Sequence, residues 1–93
     1  MLGLALEQLE VSPSSSLVGQ KLSATNIRSE LDIVVVSIRR SDGQTLFNPS
    51  GESLIEAGDM LIAIGSGESL MKLTSMAQGV SQSNVQRPKS NVT

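Results

Sequence analysis

Read along the chain, apolar and polar positions mark six segments in the order strand, helix, strand, strand, strand, helix. The first carries a conflict of phase: Leu4 and Leu6 share one parity, Leu9 and Val11 the other. A strand that keeps its face cannot bury both pairs, so a break or bulge is expected near Glu7–Gln8. The strand proper is then expected over 7–12, with residues 1–6 as the remnant of a linker. "SPSSS" (12–16) is a loop, because proline removes a donor and serines bond locally. In "LSATNIRSEL", Ser23 is placed to cap a helix of about two turns, with Ile27 and Leu31 on its inner face. "DIVVVSIRR" (32–40) is the clearest strand, with Val34, Val36 and Ile38 on one face and Ile33, Val35, Ser37 and Arg39 on the other. The second face is apolar only in its first half, so Ile33 and Val35 are expected to be covered, by a second copy of the chain or by a ligand.

Asp42-Gly43 lies between two strand-like runs and predicts a two-residue hairpin. "TLF" (45–47) returns and ends at Asn48-Pro49. "MLIAIG" (60–65), apolar on both parities, predicts a central strand. Ser66 then caps a last helix whose inner face carries Leu70, Leu73 and Ala77, with Glu68 in its first turn. From 79 to 93 no periodicity remains, and a disordered tail is expected. Three consecutive strands between two helices define a small α+β domain with a mainly antiparallel sheet, spanning 7–78.

Composition narrows the chemistry. Ninety-three residues make one domain, and the only aromatic is Phe47. So thin a core favours completion against another surface, a homodimer being the simplest. The absence of cysteine and histidine removes thiol nucleophiles, imidazole bases and the usual zinc sites. Absence of cysteine also fits a cytoplasmic setting, and no run approaches the ~18–20 apolar residues of a membrane span. Residues 1–79 hold nine acids against five bases, a net −4, with the other two bases in the tail. An acidic domain with one ring is a poor nucleic-acid reader.

Two glycine motifs invite a functional reading. Gly65-Ser66-Gly67 stands between a strand and a helix, as in a dinucleotide loop. The third glycine is replaced by Leu70, and no acid follows about twenty residues on. Gly65 and Gly67 are therefore read as a tight strand-to-helix turn. Asp59, after Gly58, is read as an Asx-type cap on the preceding turn. No nucleophile and base converge with it, which argues against an enzyme.

The stretches "SSLVGQKLSATNIRSELDIVVVSIRR" (15–40) and "LFNPSGESLIEAGDMLIAIGSGESLMKL" (46–73) resemble the C-terminal domain of RCK proteins, also called the TrkA-C domain. Leu17, Gly19, Leu22, Arg28, Arg39, Pro49, Leu54, Gly58, Asp59 and Gly65 fall at the family's motif positions, with Gly19, Gly58, Asp59 and Gly65 as its structural signature. The resemblance implies a regulatory module of a potassium channel or potassium transport system, preceded by a Rossmann-type nucleotide-binding domain. It implies dimerisation, and in some relatives cyclic di-AMP binding between two copies. The matching positions are Asn26, Arg28, Ile33, Val34, Val35 and Pro49, with Arg28 on a phosphate and the aliphatic residues beside an adenine. Two alternatives stay open: a domain of another ion transporter (Na+/H+ or anion), and a structural dimerisation module whose Arg28 pairs with Glu30 or Asp32 of the other copy.

Overall fold

A computed structural model describes residues 3–79. Four strands, β1 (Leu4–Glu10), β2 (Val34–Arg39), β3 (Thr45–Phe47) and β4 (Met60–Ser66), form one antiparallel sheet in the order β1-β4-β2-β3. A five-residue helix α1 (Ile27–Leu31) precedes β2, and α2 (Gly67–Gln78) follows β4. This is the α+β architecture expected, with 60–65 central as predicted. The expected tail lies, from residue 80 on, outside the described residues.

α2 covers one face of the sheet and forms the core with it. Leu9, Ile38, Leu61 and Ala63 of the strands meet Leu70, Leu73 and Ala77 of α2, joined by Val11, Leu17, Ile27, Ile33 and Ile55. Ser66 caps α2 as expected, its Oγ accepting the Ser69 N–H at 3.1 Å. Phe47 contributes nothing to this core; it is 79% exposed on the opposite face.

Four details depart from the sequence reading, each for a local reason. β1 has no break at Glu7–Gln8: it pairs with β4 without interruption, from Leu4 opposite Ser66 to Glu10 opposite Met60. The phase conflict is resolved by leaving Leu4 and Leu6 in solvent, 60% and 58% exposed, while Leu9 and Val11 face the core. β2 carries the bulge instead. Val35 opposes Ala63 and Ser37 opposes Ile62, so Val36 is the extra residue. Past it the parity flips, and Ile38 joins the face of Val35, against Leu61.

The two-turn helix is in fact split. A 3-10 turn over Leu22–Thr25 ends at Asn26, which adopts a left-handed φ of 59°, and α1 starts afresh. Thr25 takes the polar role given to Ser23: its Oγ1 donates to the Leu22 carbonyl (2.7 Å) and accepts the Ile27 N–H (3.3 Å). The hairpin has three loop residues, not two. The Gly43 N–H donates to the Arg40 carbonyl and the Arg40 N–H to that of Gln44, with Gly43 at φ 93°. That is a turn closed by a glycine bulge.

Gly65 is not a turn residue either. It sits inside β4 opposite Ala5, and a Cβ there would meet Ile33 Cγ1 at 2.8 Å. Glycine is required because the Ile33 side chain lies directly on the strand.

Candidate functional site

β3 opposes only Ser37–Arg39, so among the described residues the first half of β2 has no strand on that side. After Phe47 the chain turns away through Asn48 (φ 49°), whose N–H donates to the Val36 carbonyl at 2.8 Å. Across the opening, the Leu22 and Ser23 N–H groups donate to Ser53 and Gly51 at 2.8 and 2.9 Å, fixing the 3-10 turn against the 49–54 segment. A cleft of about 330 Å³ remains between these walls. Its size is at the small end of ligand pockets, which start near ~300 Å³.

All six residues named for ligand binding line this one cleft. Asn26 and Arg28 come from the split helix, Ile33, Val34 and Val35 from the strand start, and Pro49 from the far wall. Ile33 is buried and forms the floor; Val34 is half exposed. Their separation in sequence is bridged by the break at Asn26, which lets the chain present both Asn26 and Arg28 to the same space. Ser23, Ser29, Asn48 and Gly51 also line it. Sequence reading missed them; Asn before Pro at 48 was the one available signal, since Asn tolerates the left-handed conformation.

Burial overturns one expectation about the strand. Ile33 is 1% exposed within a single chain and Val35 packs partly against the core, so Ile33 cannot supply a homodimer contact. Ile33 packs within the chain, its Cγ1 lying 2.8 Å from where a Cβ on Gly65 would be.

The electrostatics of the cleft are simple. Among the described residues Arg28 is the only charged one lining it, and no carboxylate lies within 4.0 Å of the guanidinium. Glu30 and Asp32 of the same chain leave it unpaired. An exposed, unneutralised guanidinium can take an anion by charge-assisted bonds while a flat apolar group rests against the exposed side chain of Val34.

The Gly58-Asp59 pair works elsewhere. Gly58 turns the chain at φ 84°, and Asp59 Oδ2 accepts the Glu56 N–H of the preceding turn at 2.8 Å, reaching back three residues where an Asx turn bonds forward. Arg40 adds what the sequence did not reveal: its Nη1 donates to Asp59 Oδ2 at 2.5 Å and to the Leu54 carbonyl at 2.9 Å. Asp59 is 1% exposed, so this is a buried charge held by one arginine. Gly19, at φ 84°, donates its N–H to Ile55 and holds the loop before the 3-10 turn to the same segment.

With this geometry in hand, the comparisons are specific. The family model for the TrkA-C domain matches residues 6–78. The chain belongs to the TrkA-C domain family. A curated relative, the K(+)/H(+) antiporter subunit KhtT of Bacillus subtilis (strain 168), is 30% identical over 70 residues. The match covers 75% of this chain and 42% of KhtT. The chain likewise spans 42% of the uncharacterized protein YrvC of the same organism, at 27% identity. Among solved TrkA-C folds, the RCK C domain of the potassium transport protein KtrA, in complex with c-di-AMP, superposes with TM-score 0.69 at 24% identity, over 77% of this chain and 81% of that one. The RCK_C dimer of S. agalactiae BusR with c-di-AMP gives 0.73 at 22% identity, over 84% and 95%. BusR has also been solved on its busAB-promotor DNA, where this chain matches 37% of the BusR chain.

Proposed function

We propose that this TrkA-C domain is the ligand-responsive part of a potassium channel or potassium transport system, taking a cyclic dinucleotide, cyclic di-AMP foremost, in the Asn26–Arg28 cleft. The observation that carries the reading is the convergence of the six candidate residues on one cleft whose single charge, among the described residues, is the unpaired Arg28. One cation per copy matches one phosphate, so a two-fold ligand with two phosphates calls for two copies of the domain. The domain is therefore read as a homodimer, following a Rossmann-type domain in the parent protein. Ligand affinity that differs between two dimer arrangements would bias the attached membrane protein by that difference. The likeness to an antiporter subunit supports a transport system over a channel. The net −4 of residues 1–79 argues that this domain, wherever DNA is contacted in BusR, makes no such contact itself.

Thermal unfolding with added nucleotide tests the reading. A ligand at 100 times its dissociation constant stabilises the folded state by about 2.7 kcal/mol, a rise of roughly 10–20 °C for a domain of this size. Arg28→Ala should abolish the rise and leave the unliganded midpoint nearly unchanged. No shift with millimolar cyclic di-AMP would refute the ligand assignment.

A further inference from the structure

β1 is an end strand of the sheet, and among the described residues no strand pairs with its outer side. Two hydrogen bonds fix which backbone groups face that side. The Val11 N–H donates inward to the Asp59 carbonyl, and the Ser12 N–H donates outward to the Ala77 carbonyl of α2, both at 2.8 Å. Backbone groups alternate along a strand, so the N–H and C=O of Leu6, Gln8 and Glu10 point the way the Ser12 N–H does, with no strand to receive them. An open edge of seven residues is a template for a further strand, and Glu7 and Glu10 are its only charges. Beside it runs a groove of about 510 Å³, walled by Glu7, Gln8 and Glu10 on one side and by Thr74, Ala77 and Gln78 of α2 on the other.

We propose that the occupant of this edge is the chain's own C-terminal segment, residues 80–86, added to β1 as a fifth, antiparallel strand. Direction comes first. α2 follows Ser66, which is opposite Leu4, and ends where Ala77 holds Ser12, so it runs the same way as β1. Gly79 closes the helix at φ 73°, packed so tightly on Ser14 that a Cβ would clash with it. The chain therefore leaves α2 at the Ser12 end of the groove, and a segment returning along the groove runs antiparallel to β1. Length agrees. "VSQSNVQ" (80–86) has the seven residues of β1, and Arg87-Pro88 follows, where proline has no N–H to carry a ladder further. Charge agrees as well: residues 80–93 hold two bases and no acid, against an edge with two acids and no base. Joined directly to Gly79, the segment meets the edge at an effective concentration on the order of millimolar, enough to populate a contact too weak for a free peptide. Paired in this way, it withdraws the edge from any other strand. The Arg28 cleft lies beside β2, two strands from β1, and stays open.

The contact is independent of the nucleotide reading. Amide hydrogen exchange of the full chain without ligand, read by NMR, tests it. The Leu6, Gln8 and Glu10 N–H groups should exchange at least about tenfold more slowly than open amides. Ser83→Pro with Asn84→Pro removes one donor of each parity without altering residues 3–79, and should return all three to open rates. Arg87→Glu with Lys89→Glu, or added salt, should lower the protection by at least about threefold. Because the chain has no cysteine, Gln82→Cys gives a unique site for a nitroxide. The label should broaden the β1 amides equally at every protein concentration, and should leave them sharp when label and isotope are on different copies. Open exchange at all three amides overturns the proposal, as does an absence of broadening. Protection that survives the two prolines or rises with concentration, or broadening between copies, assigns the edge to another chain and overturns it equally.

Discussion

Removing the Arg40 guanidinium tests how the buried carboxylate of Asp59 is held. The carboxylate is 1% exposed and accepts from two donors, Arg40 Nη1 at 2.5 Å and the Glu56 N–H at 2.8 Å; Oδ1 finds none among the described residues. Arg40→Met keeps much of the stem but leaves a buried anion with one backbone donor. Breaking one side of a buried pair costs about 3–5 kcal/mol. The lower end applies, since the Arg40 side chain keeps 16% exposure and water can follow it in. For a chain with roughly 5–14 kcal/mol in total, at ~0.05–0.15 per residue, about 3 kcal/mol lowers the midpoint by some 12–24 °C. Asp59→Asn removes the charge while keeping an oxygen for Glu56, and should cost only about 1–2 kcal/mol. With Asn at 59, Arg40→Met should lose at least ~1 kcal/mol of its effect, because no buried anion remains to be stranded. Urea unfolding of the four proteins reads all of this. If Arg40→Met costs under ~1 kcal/mol, or the two substitutions simply add, the arginine is not what holds the carboxylate.

Other expectations follow from single contacts. Gly65→Ala forces its new Cβ, 2.8 Å from Ile33 Cγ1, into the cleft floor and should cost about 1–3 kcal/mol in urea unfolding. Gly19→Ala meets open space but must hold φ 84°, a loss of about 1–2 kcal/mol; Gly67→Ala, with open space and no positive φ, should gain up to about 1 kcal/mol. Ser66→Ala removes the cap accepting the Ser69 N–H and should lower the urea midpoint by the equivalent of about 1 kcal/mol at unchanged slope.

Element order and the last helix were readable because they depend on local pattern: a cap at Ser66, apolar spacing through Leu70, Leu73 and Ala77, glycines bounding β4. What escaped reading depends on pairing. The bulge at Val36 exists only because β2 must fit β4, and it alone decides which way Ile38 faces. The exposure of Leu4 and Leu6 is likewise a choice of register, invisible in a strand read by itself. Arg40 and Asp59 are nineteen residues apart, and charge type alone does not join them. Strand parity singled out only Ile33 and Val35; Asn26, Arg28, Val34 and Pro49 were named through family likeness, and only the fold explains their convergence: β3 stops short and the helix breaks at Asn26.

The long reach of β1 has a consequence during synthesis. Leu4–Glu10 pairs with residues 60–66, so the first strand leaves the ribosome with its partner not yet made. At ~5–20 residues per second the wait is roughly 3–11 s. Throughout it, Leu4, Leu6 and Leu9 are carried on an unpaired strand open to any chance neighbour. Glu7 and Glu10 are its only charges, and as gatekeepers they would guard the nascent chain before they have any role in the folded one.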